Sequence, residues 1–214
     1  MSTQQSIAAK AGNLAERLLC DSRSVFNAFQ PYFTKEITSI KMVGGRKKSD
    51  ICIQFLDSTN IKIQNKNGNV GGRGHSVNRC SVSNMSDNEN VRSLLQEVCI
   101  SKKGDIRPLV HREESAVIVN RCLFGNLDFR PDYFTHTKIA NGQIIELSIC
   151  PASTLHAAVL ADLYDQILPK KTCVHLSPSI YLQRKGGGKK DHAPDDIQMK
   201  FRLEPYINLF TRIL

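Results

Sequence analysis

Two short alternating segments constrain the fold of this chain more than any other feature. Apolar side chains take every second position in Asp50-Ile51-Cys52-Ile53-Gln54-Phe55, and Ile61-Lys62-Ile63-Gln64-Asn65-Lys66 repeats the pattern. A period of two is that of a β-strand with one buried face and one polar face. Between them, Asp57-Ser58-Thr59-Asn60 has the composition of a turn. The sequence therefore predicts a β-hairpin.

The polar face of this hairpin carries residues suited to metal-assisted chemistry. Asp50 begins the first strand, and Gln64 and Lys66 end the second. If both polar sets share one side of the sheet, Asp50 lies across from Lys66 with Gln64 one step away. A carboxylate and an amide oxygen can hold a hard cation, and a lysine can orient water or stabilise negative charge. The competing interpretation is an ordinary solvent-facing hairpin.

The order of these residues resembles the core motif of the PD-(D/E)XK nuclease superfamily. Lys48-Ser49-Asp50 introduces one strand and Gln64-Asn65-Lys66 ends the next, as in type II restriction endonucleases. Residues 183–188 and 196–200 are similar to the C-terminal part of such enzymes, so the likeness covers residues 46–68 and 180–203. It implies a restriction-endonuclease-like core and a Mg²⁺-dependent site, with Asp50 and Gln64 as metal ligands and Asp50, Gln64 and Lys66 as catalytic residues.

One position departs from the pattern of that superfamily. Gln64 stands where an acidic residue is usual, and a neutral oxygen binds a divalent cation less strongly than a carboxylate does. A further acid would compensate, and the superfamily often takes one from an N-terminal helix. Glu16, on the polar side of the first predicted helix, is the first candidate, and Glu36 is the second.

The charge of the chain favours a polyanionic partner. Lys and Arg number 29 against 20 Asp and Glu, which gives a formal net charge of +9. Cations bracket the hairpin and fill a later glycine-rich loop, and two polar residues follow on one face of a strand. The predicted DNA-binding residues are Arg46, Lys47, Lys48, Arg73, Arg79, Arg184, Lys185, Lys189, Lys190, Gln198 and Lys200. The alternatives are a solvated or phosphate-binding turn for the loop and an exposed edge strand for Gln198 and Lys200.

The rest of the chain predicts a mixture of helices and strands. Helices are expected over residues 4–20, from Val25 to before Pro31, over 91–99 and from Pro151 to Leu168, and strands over 37–43, 142–150, 176–182 and 197–203. Residues 67–74 and 102–112 are expected to be loops. The fold class expected is α+β, a single domain over residues 1–214 with a central mixed β-sheet flanked by helices.

Other features bear on the class of protein. The seven cysteines are scattered, which indicates buried thiols in a reducing compartment rather than a disulfide framework. We expect a cytoplasmic protein without a membrane span, because neither a secretory signal nor a long apolar stretch is visible.

These features together predict a Mg²⁺-dependent, site-specific endonuclease that cuts double-stranded DNA. A homodimer is expected, since two active sites cut two antiparallel strands and two-fold symmetry matches a palindromic site. Two alternatives stay open. One is a DNA-binding protein on the same scaffold without hydrolysis, and the other is a structure-specific nuclease that resolves junctions or is directed to RNA.

Overall fold

The computed structural model describes residues 4–43, 49–68, 75–100, 109–110, 112–125, 130–170, 173–184 and 196–214. Within these ranges the α-helices are α1 Gln4–Asp21, α2 Arg23–Tyr32, α3 Glu89–Ile100, α4 Arg112–Val119 and α5 Ala152–Ala161. The strands are β1 Ile37–Met42, β2 Ile51–Phe55, β3 Asn60–Asn67, β4 His75–Ser81, β5 Leu109–Val110, β6 Tyr133–Ala140, β7 Gln143–Pro151, β8 Gln166–Lys170, β9 Cys173–His175, β10 Ile180–Arg184, β11 Asp196–Phe201 and β12 Thr211–Arg212.

The chain divides into two compact units, and the first contains the predicted hairpin. It comprises Met1–Val70, Gly125–His156 and Tyr206–Leu214. Its six-stranded sheet has the order β1-β2-β3-β6-β7-β12. The pair β3 and β6 is parallel, whereas the other neighbouring strands of this sheet are antiparallel. The sheet is therefore mixed, and a parallel pair lies at its centre.

The apolar face of this sheet forms the core of the first unit with the two N-terminal helices. Ile51, Ile53 and Ile63 are fully buried on that face, which is the alternation expected from the sequence. Fully buried Leu19 of α1 and Phe29 of α2 belong to the same cluster. Burial of such side chains contributes about 1.5–3 kcal/mol each, so the hairpin is held by its fit to the helices.

An Asn-Gly turn joins the long strands β6 and β7. Asn141 and Gly142 both have positive φ, at 51° and 72°. This is the backbone of the two-residue hairpin turn that matches the right-handed twist of the flanking strands. Asn and Gly are the residues that adopt it at least cost, which explains why the chain reverses here. The sequence interpretation did not include β6, although this dipeptide signals a hairpin.

The second unit has its own six-stranded sheet. It comprises Gly71–Phe124 and Ala157–Pro205, and its sheet has the order β4-β11-β10-β9-β8-β5. On one face Ile197, Met199 and Phe201 of β11 are fully buried. Val91, Leu94 and Leu95 of α3 are buried in the same unit, at the helical spacing expected for residues 91–99.

The end of α5 depends on a residue far away in the chain. Arg112 donates from Nη1 to the carbonyl of Leu163 at 2.7 Å, and from Nη2 to those of Leu160 at 3.1 Å and Ala161 at 3.0 Å. Leu160 and Ala161 are the last residues of α5, so their carbonyls lack partners within the helix, and a cation at a helix C-terminus interacts favourably with the helix dipole. The apolar pattern predicted a helix as far as Leu168, and that prediction is wrong because the chain turns into β8 at Gln166.

Two other local predictions are corrected. Pro31 lies inside α2, in its last turn, rather than after it. Leu109 and Val110 form a short strand within the expected loop, and Arg112 already begins α4. The class prediction, a mixed α+β fold with a central mixed sheet flanked by helices, is confirmed. No helix in the described part of the chain combines the length and the apolar character that a membrane crossing requires.

The two glycine positions Gly142 and Gly12 predict opposite effects of the same substitution. A Cβ at either would meet nothing within 4 Å, but Gly142 has a φ of +72° whereas Gly12 lies in α1. Gly142→Ala should lower the free energy of unfolding by about 1 kcal/mol, because an L-residue is strained there. Gly12→Ala should raise it by up to about 1 kcal/mol, because alanine favours the helix. Urea unfolding of the three proteins measures both, and equal midpoints would contradict the backbone conformations described.

Candidate active site

The register of the hairpin differs from the predicted one by a single polar step. Ile51 pairs with Ile63 and Cys52 with Lys62, whereas Asp50 opposite Lys66 would require Ile51 to pair with Asn65. Gln64 and Lys66 alternate with Ile63 and Asn65 and so share one side of β3, whereas Asp50 lies just before the start of β2. The correction follows from the turn, where pairing begins at Gln54 and Asn60.

Hydrogen bonds to both neighbouring strands hold Asp50. The N–H of Val43 donates to the Asp50 carbonyl at 2.9 Å, and the Asp50 N–H donates to the Ile63 carbonyl at 2.8 Å. The N–H of Asn65 donates to Asp50 Oδ2 at 2.7 Å. One carboxylate oxygen is thereby anchored to β3.

Asn65 links this anchor to the parallel strand β6, a role that sequence reasoning missed. Its Oδ1 accepts hydrogen bonds from Thr135 Oγ1 at 3.0 Å and Thr137 Oγ1 at 3.3 Å, and its Nδ2 lies 3.2 Å from Thr137 Oγ1. All three side chains are buried. Alternation puts the Asn65 side chain on the face opposite Gln64 and Lys66. Asn65 is therefore a support for the site and not a part of its polar row.

Gln64 and Lys66 lie on the polar side of β3, yet both are buried. Their exposed fractions are 6% and 8%. Gln64 Oε1 has no hydrogen-bond partner among the described residues. A buried carbonyl oxygen left in this state costs about 1–3 kcal/mol, so a ligand that accepts its lone pair would be favoured. An ordinary solvent-facing hairpin, the competing interpretation, does not bury these two residues.

Glu16 of α1 belongs to the same group of charges. Burial raises the pKa of its carboxyl above the ordinary value of 4.5, the negative charge of Asp50 raises it further, and the positive charge of Lys66 lowers it. The first candidate for the additional acid is therefore close enough to interact with both Asp50 and Lys66. Glu36, the second candidate, is exposed, and its carbonyl accepts from Leu56 N at the turn end of the hairpin. The structure thus separates Glu36 from Asp50.

The donor set fits a hard divalent cation. Asp50, Glu16 and Gln64 offer only oxygens, which suit Mg²⁺ and not a soft metal. Among the described residues no group of three or more His, Cys, Asp or Glu side chains is placed to hold a metal ion. Asp50 and Glu16 would offer two carboxylates to such a cation, and the buried Gln64 oxygen would offer an amide donor.

The predicted DNA-binding residues that the structure describes lie in the second unit. Gln198 and Lys200 of β11 are half-buried and alternate with buried Ile197 and Met199, so they share the polar face of their sheet. Because β11 lies between β4 and β10, the edge-strand alternative for these two residues is wrong. Arg79 is opposite Gln198 and Arg184 is opposite Ile197. The remaining predicted residues, Arg46, Lys47, Lys48, Arg73, Lys185, Lys189 and Lys190, lie outside the described residues.

An aromatic stack on the same face was not anticipated. The rings of His175 and Tyr181 stack with centroids 5.3 Å apart, and Arg202 lies 5.7 Å from the Tyr181 ring. Tyr181 pairs with Lys200 across β10 and β11. The face thus combines amide, cationic and aromatic groups. Sequence reasoning missed this cluster because the aromatic content is low and because its members come together only through strand pairing.

Comparisons with known proteins give a distant likeness and no family. No family model and no curated protein matches the sequence. Among solved structures, the restriction endonuclease MspI in complex with its cognate DNA is similar, with a TM-score of 0.46 and 13% sequence identity. The match covers 77% of this chain and 71% of that chain. This chain therefore has a remote structural similarity to a restriction endonuclease.

The raised pKa of Glu16 predicts how the stability of the protein without metal depends on pH. Because the pKa of Glu16 is raised in the folded state, protonated Glu16 contributes to the free energy of unfolding. This contribution is fully present below about pH 4.5 and is lost as pH rises through the folded-state pKa. Glu16→Gln should therefore be more stable than the wild type at pH 8, and the two should converge below pH 4.5.

Urea midpoints across this pH range measure the effect. Exposed Glu36 provides the matched control, and Glu36→Gln should leave the midpoint at pH 8 close to that of the wild type. A Glu16→Gln midpoint that follows the wild type at every pH would show that Glu16 does not face Asp50 in a partly buried site.

Proposed function

We propose that this protein is a Mg²⁺-dependent endonuclease of the PD-(D/E)XK type that hydrolyses phosphodiester bonds in double-stranded DNA at specific sites. The observation that supports the proposal is the burial of Gln64 and Lys66 near half-buried Asp50, together with the effect of the Asp50 and Lys66 charges on the pKa of Glu16. These residues would supply two carboxylates, a lysine and a buried amide oxygen that has no hydrogen-bond partner among the described residues. Their order along the hairpin is that of the superfamily motif.

The residues divide the chemistry between them. Asp50, Gln64 and Glu16 would hold Mg²⁺, which supplies a Lewis acid for the scissile phosphate and acidifies a bound water. Asp50 keeps its carboxylate in place through the Asn65 N–H, so little reorganisation is needed when a cation binds. Lys66 orients the attacking water or stabilises the charge that develops on the phosphate. Its burial strengthens this interaction, because fewer waters compete for the ammonium.

The polar face of the second sheet is the surface that we assign to DNA recognition. Gln198 and Lys200 present an amide and an ammonium, the groups that hydrogen-bond to adenine and guanine edges in the major groove. The basic residues around the hairpin and in the 185–190 segment would contact phosphates, consistent with the net charge of +9. A homodimer acting in a restriction system completes the proposal, since two such sites cut both strands of a palindrome.

Cleavage of DNA tests the proposed hydrolysis. Wild-type protein with Mg²⁺ should cut unmethylated, long mixed-sequence DNA into discrete fragments, and none should form in excess EDTA. Asp50→Asn and Lys66→Ala should each lower the rate by at least about 100-fold, because each removes a group that acts in the transition state. Fragment patterns on gels and single-turnover rates are the measurements.

The same strand provides matched controls for both substitutions. Lys62 is on the same face of β3, opposite Cys52, and Lys62→Ala should cut as the wild type does. Asp132 Oδ2 accepts a hydrogen bond from the Lys62 N–H at 2.6 Å, just as Asp50 Oδ2 accepts one from the Asn65 N–H. Asp132→Asn is therefore the control for changing a carboxylate that accepts a hydrogen bond from the β3 backbone. Intact DNA under all conditions, with folded protein that still binds it, would contradict hydrolysis and favour the non-catalytic binding protein. Equal cutting by the wild type and Lys66→Ala would show that other residues catalyse the reaction.

Metal affinity should respond in opposite directions to two substitutions in the ligand set. Gln64→Glu adds a carboxylate and should bind Mg²⁺ more tightly than the wild type, whereas Glu16→Gln should bind it more weakly. Calorimetric titration of the protein with MgCl₂, without DNA, measures both. Glu36→Gln is the control, and a common affinity for all four proteins would contradict this ligand set.

A further inference from the structure

A histidine on β6 lies directly beside Lys66. In the parallel pairing of β3 with β6, Lys66 is matched with His136, and on the far side of β6 His136 is matched with Ser148. Matched residues of neighbouring strands project to the same face, so His136 shares the face of Gln64 and Lys66. It is buried to the same extent as Lys66, with 8% of its surface exposed.

Gly68 shows where the imidazole goes. A Cβ built on Gly68 would lie 2.5 Å from His136 Nε2, 2.9 Å from Cε1 and 3.2 Å from Lys138 Cγ. Gly68 is two residues beyond Lys66 and donates its N–H to the Thr137 carbonyl at 2.7 Å. The Nε2–Cε1 edge of the His136 ring therefore occupies the space that a side chain at position 68 would need.

Charged residues of β3 and β6 neighbour His136. Lys66 of β3 interacts with Glu16, whose pKa also reports the charge of Asp50. Lys138 of β6 donates from Nζ to Glu146 Oε2 at 2.9 Å. The pKa of Glu146 is lowered first by its hydrogen bond to Lys138, with smaller contributions from Arg212 and His136. Glu146 is therefore a second carboxylate on the face of His136, paired with Lys138.

We propose that His136 is a positioning residue for Lys66, whose imidazole fills the place above Gly68 and keeps the lysine directed toward Asp50 and Glu16. The glycine is required because a Cβ there would displace the ring. The consequence for cleavage rests on the proposed function, whereas the placement of Lys66 does not. Two experiments separate these statements.

The first experiment measures DNA cleavage. His136→Ala should lower kcat by about 100-fold with little change in KM, because misplacing a catalytic group by about 1 Å costs that much. His136→Gln, which still fills part of the space, should recover part of the loss. Gly68→Ala should reproduce the defect, and in the His136→Ala background it should add little, since the ring it displaces is gone. The controls are His156→Ala, at a half-buried histidine of α5, and Gly12→Ala, where a Cβ meets nothing within 4 Å.

The second experiment needs no enzymatic activity. An amine-reactive reagent is applied to free protein, and the modification rate of each lysine is read by peptide mass spectrometry. His136→Ala and Gly68→Ala should each increase labelling of Lys66 several-fold, while Lys62 of the same strand stays unchanged. Circular dichroism verifies that the variants are folded, and the Gln and Ala variants give independent routes if one is not.

The outcomes distinguish this proposal from the proposed function. Increased Lys66 labelling together with a wild-type protein that cuts no DNA would support the placement and refute the nuclease. Wild-type cleavage with undiminished kcat in His136→Ala, or unchanged Lys66 labelling in both variants, would overturn the positioning role. Independent, additive losses from Gly68→Ala and His136→Ala would also overturn it, because the two residues would then not act through one contact.

Discussion

The arrangement of the candidate site depends on the hydrogen bond from the Asn65 N–H to Asp50 Oδ2. At 2.7 Å it joins the start of β2 to the end of β3, beyond the last regular pair of the hairpin. The same residue uses its side chain, on the other face, to bind Thr135 and Thr137 of β6. Because these hydroxyls are buried, their loss of partners would cost about 1–3 kcal/mol. One asparagine therefore fixes the antiparallel hairpin, the parallel strand and the carboxylate relative to one another.

This rigidity is accompanied by an electrostatic cost. Glu16 is partly buried near Asp50, and its raised pKa shows that desolvation and like charge outweigh the attraction of Lys66. The Gln64 oxygen adds a buried acceptor that has no hydrogen-bond partner among the residues that the structure describes. Burying such groups without compensating partners lowers the free energy of unfolding. A bound cation would offset all three costs at once, which is why the electrostatic strain and the proposed metal site coincide.

The accuracy of the sequence interpretation depends on whether the relevant signal is local. Alternation within β2 and β3 is local, so the hairpin and its two faces could be predicted. The register was misplaced by one polar step because it is set by where pairing begins at the turn, at Gln54 and Asn60. The end of α5 could not be predicted, since Arg112, which caps it, is about 50 residues away in sequence. Asn141-Gly142 was a local signal for β6 and β7 that alternation alone does not reveal.

The site itself divides in the same way. Asp50, Gln64 and Lys66 follow one another on a continuous hairpin, whereas Glu16 joins them through helix packing, and Asn65 and His136 act through the pairing of β3 with β6. A parallel neighbour is always distant in sequence, so its contribution is invisible in a motif. The amide at position 64 has a physical explanation in this arrangement. With Glu16 and Asp50 already close, a third carboxylate would add repulsion to a buried site, and a neutral oxygen supplies a ligand without that charge. In the proposed site, Glu16 of α1 would supply the acid that β3 lacks, so the departure from the motif is compatible with metal binding.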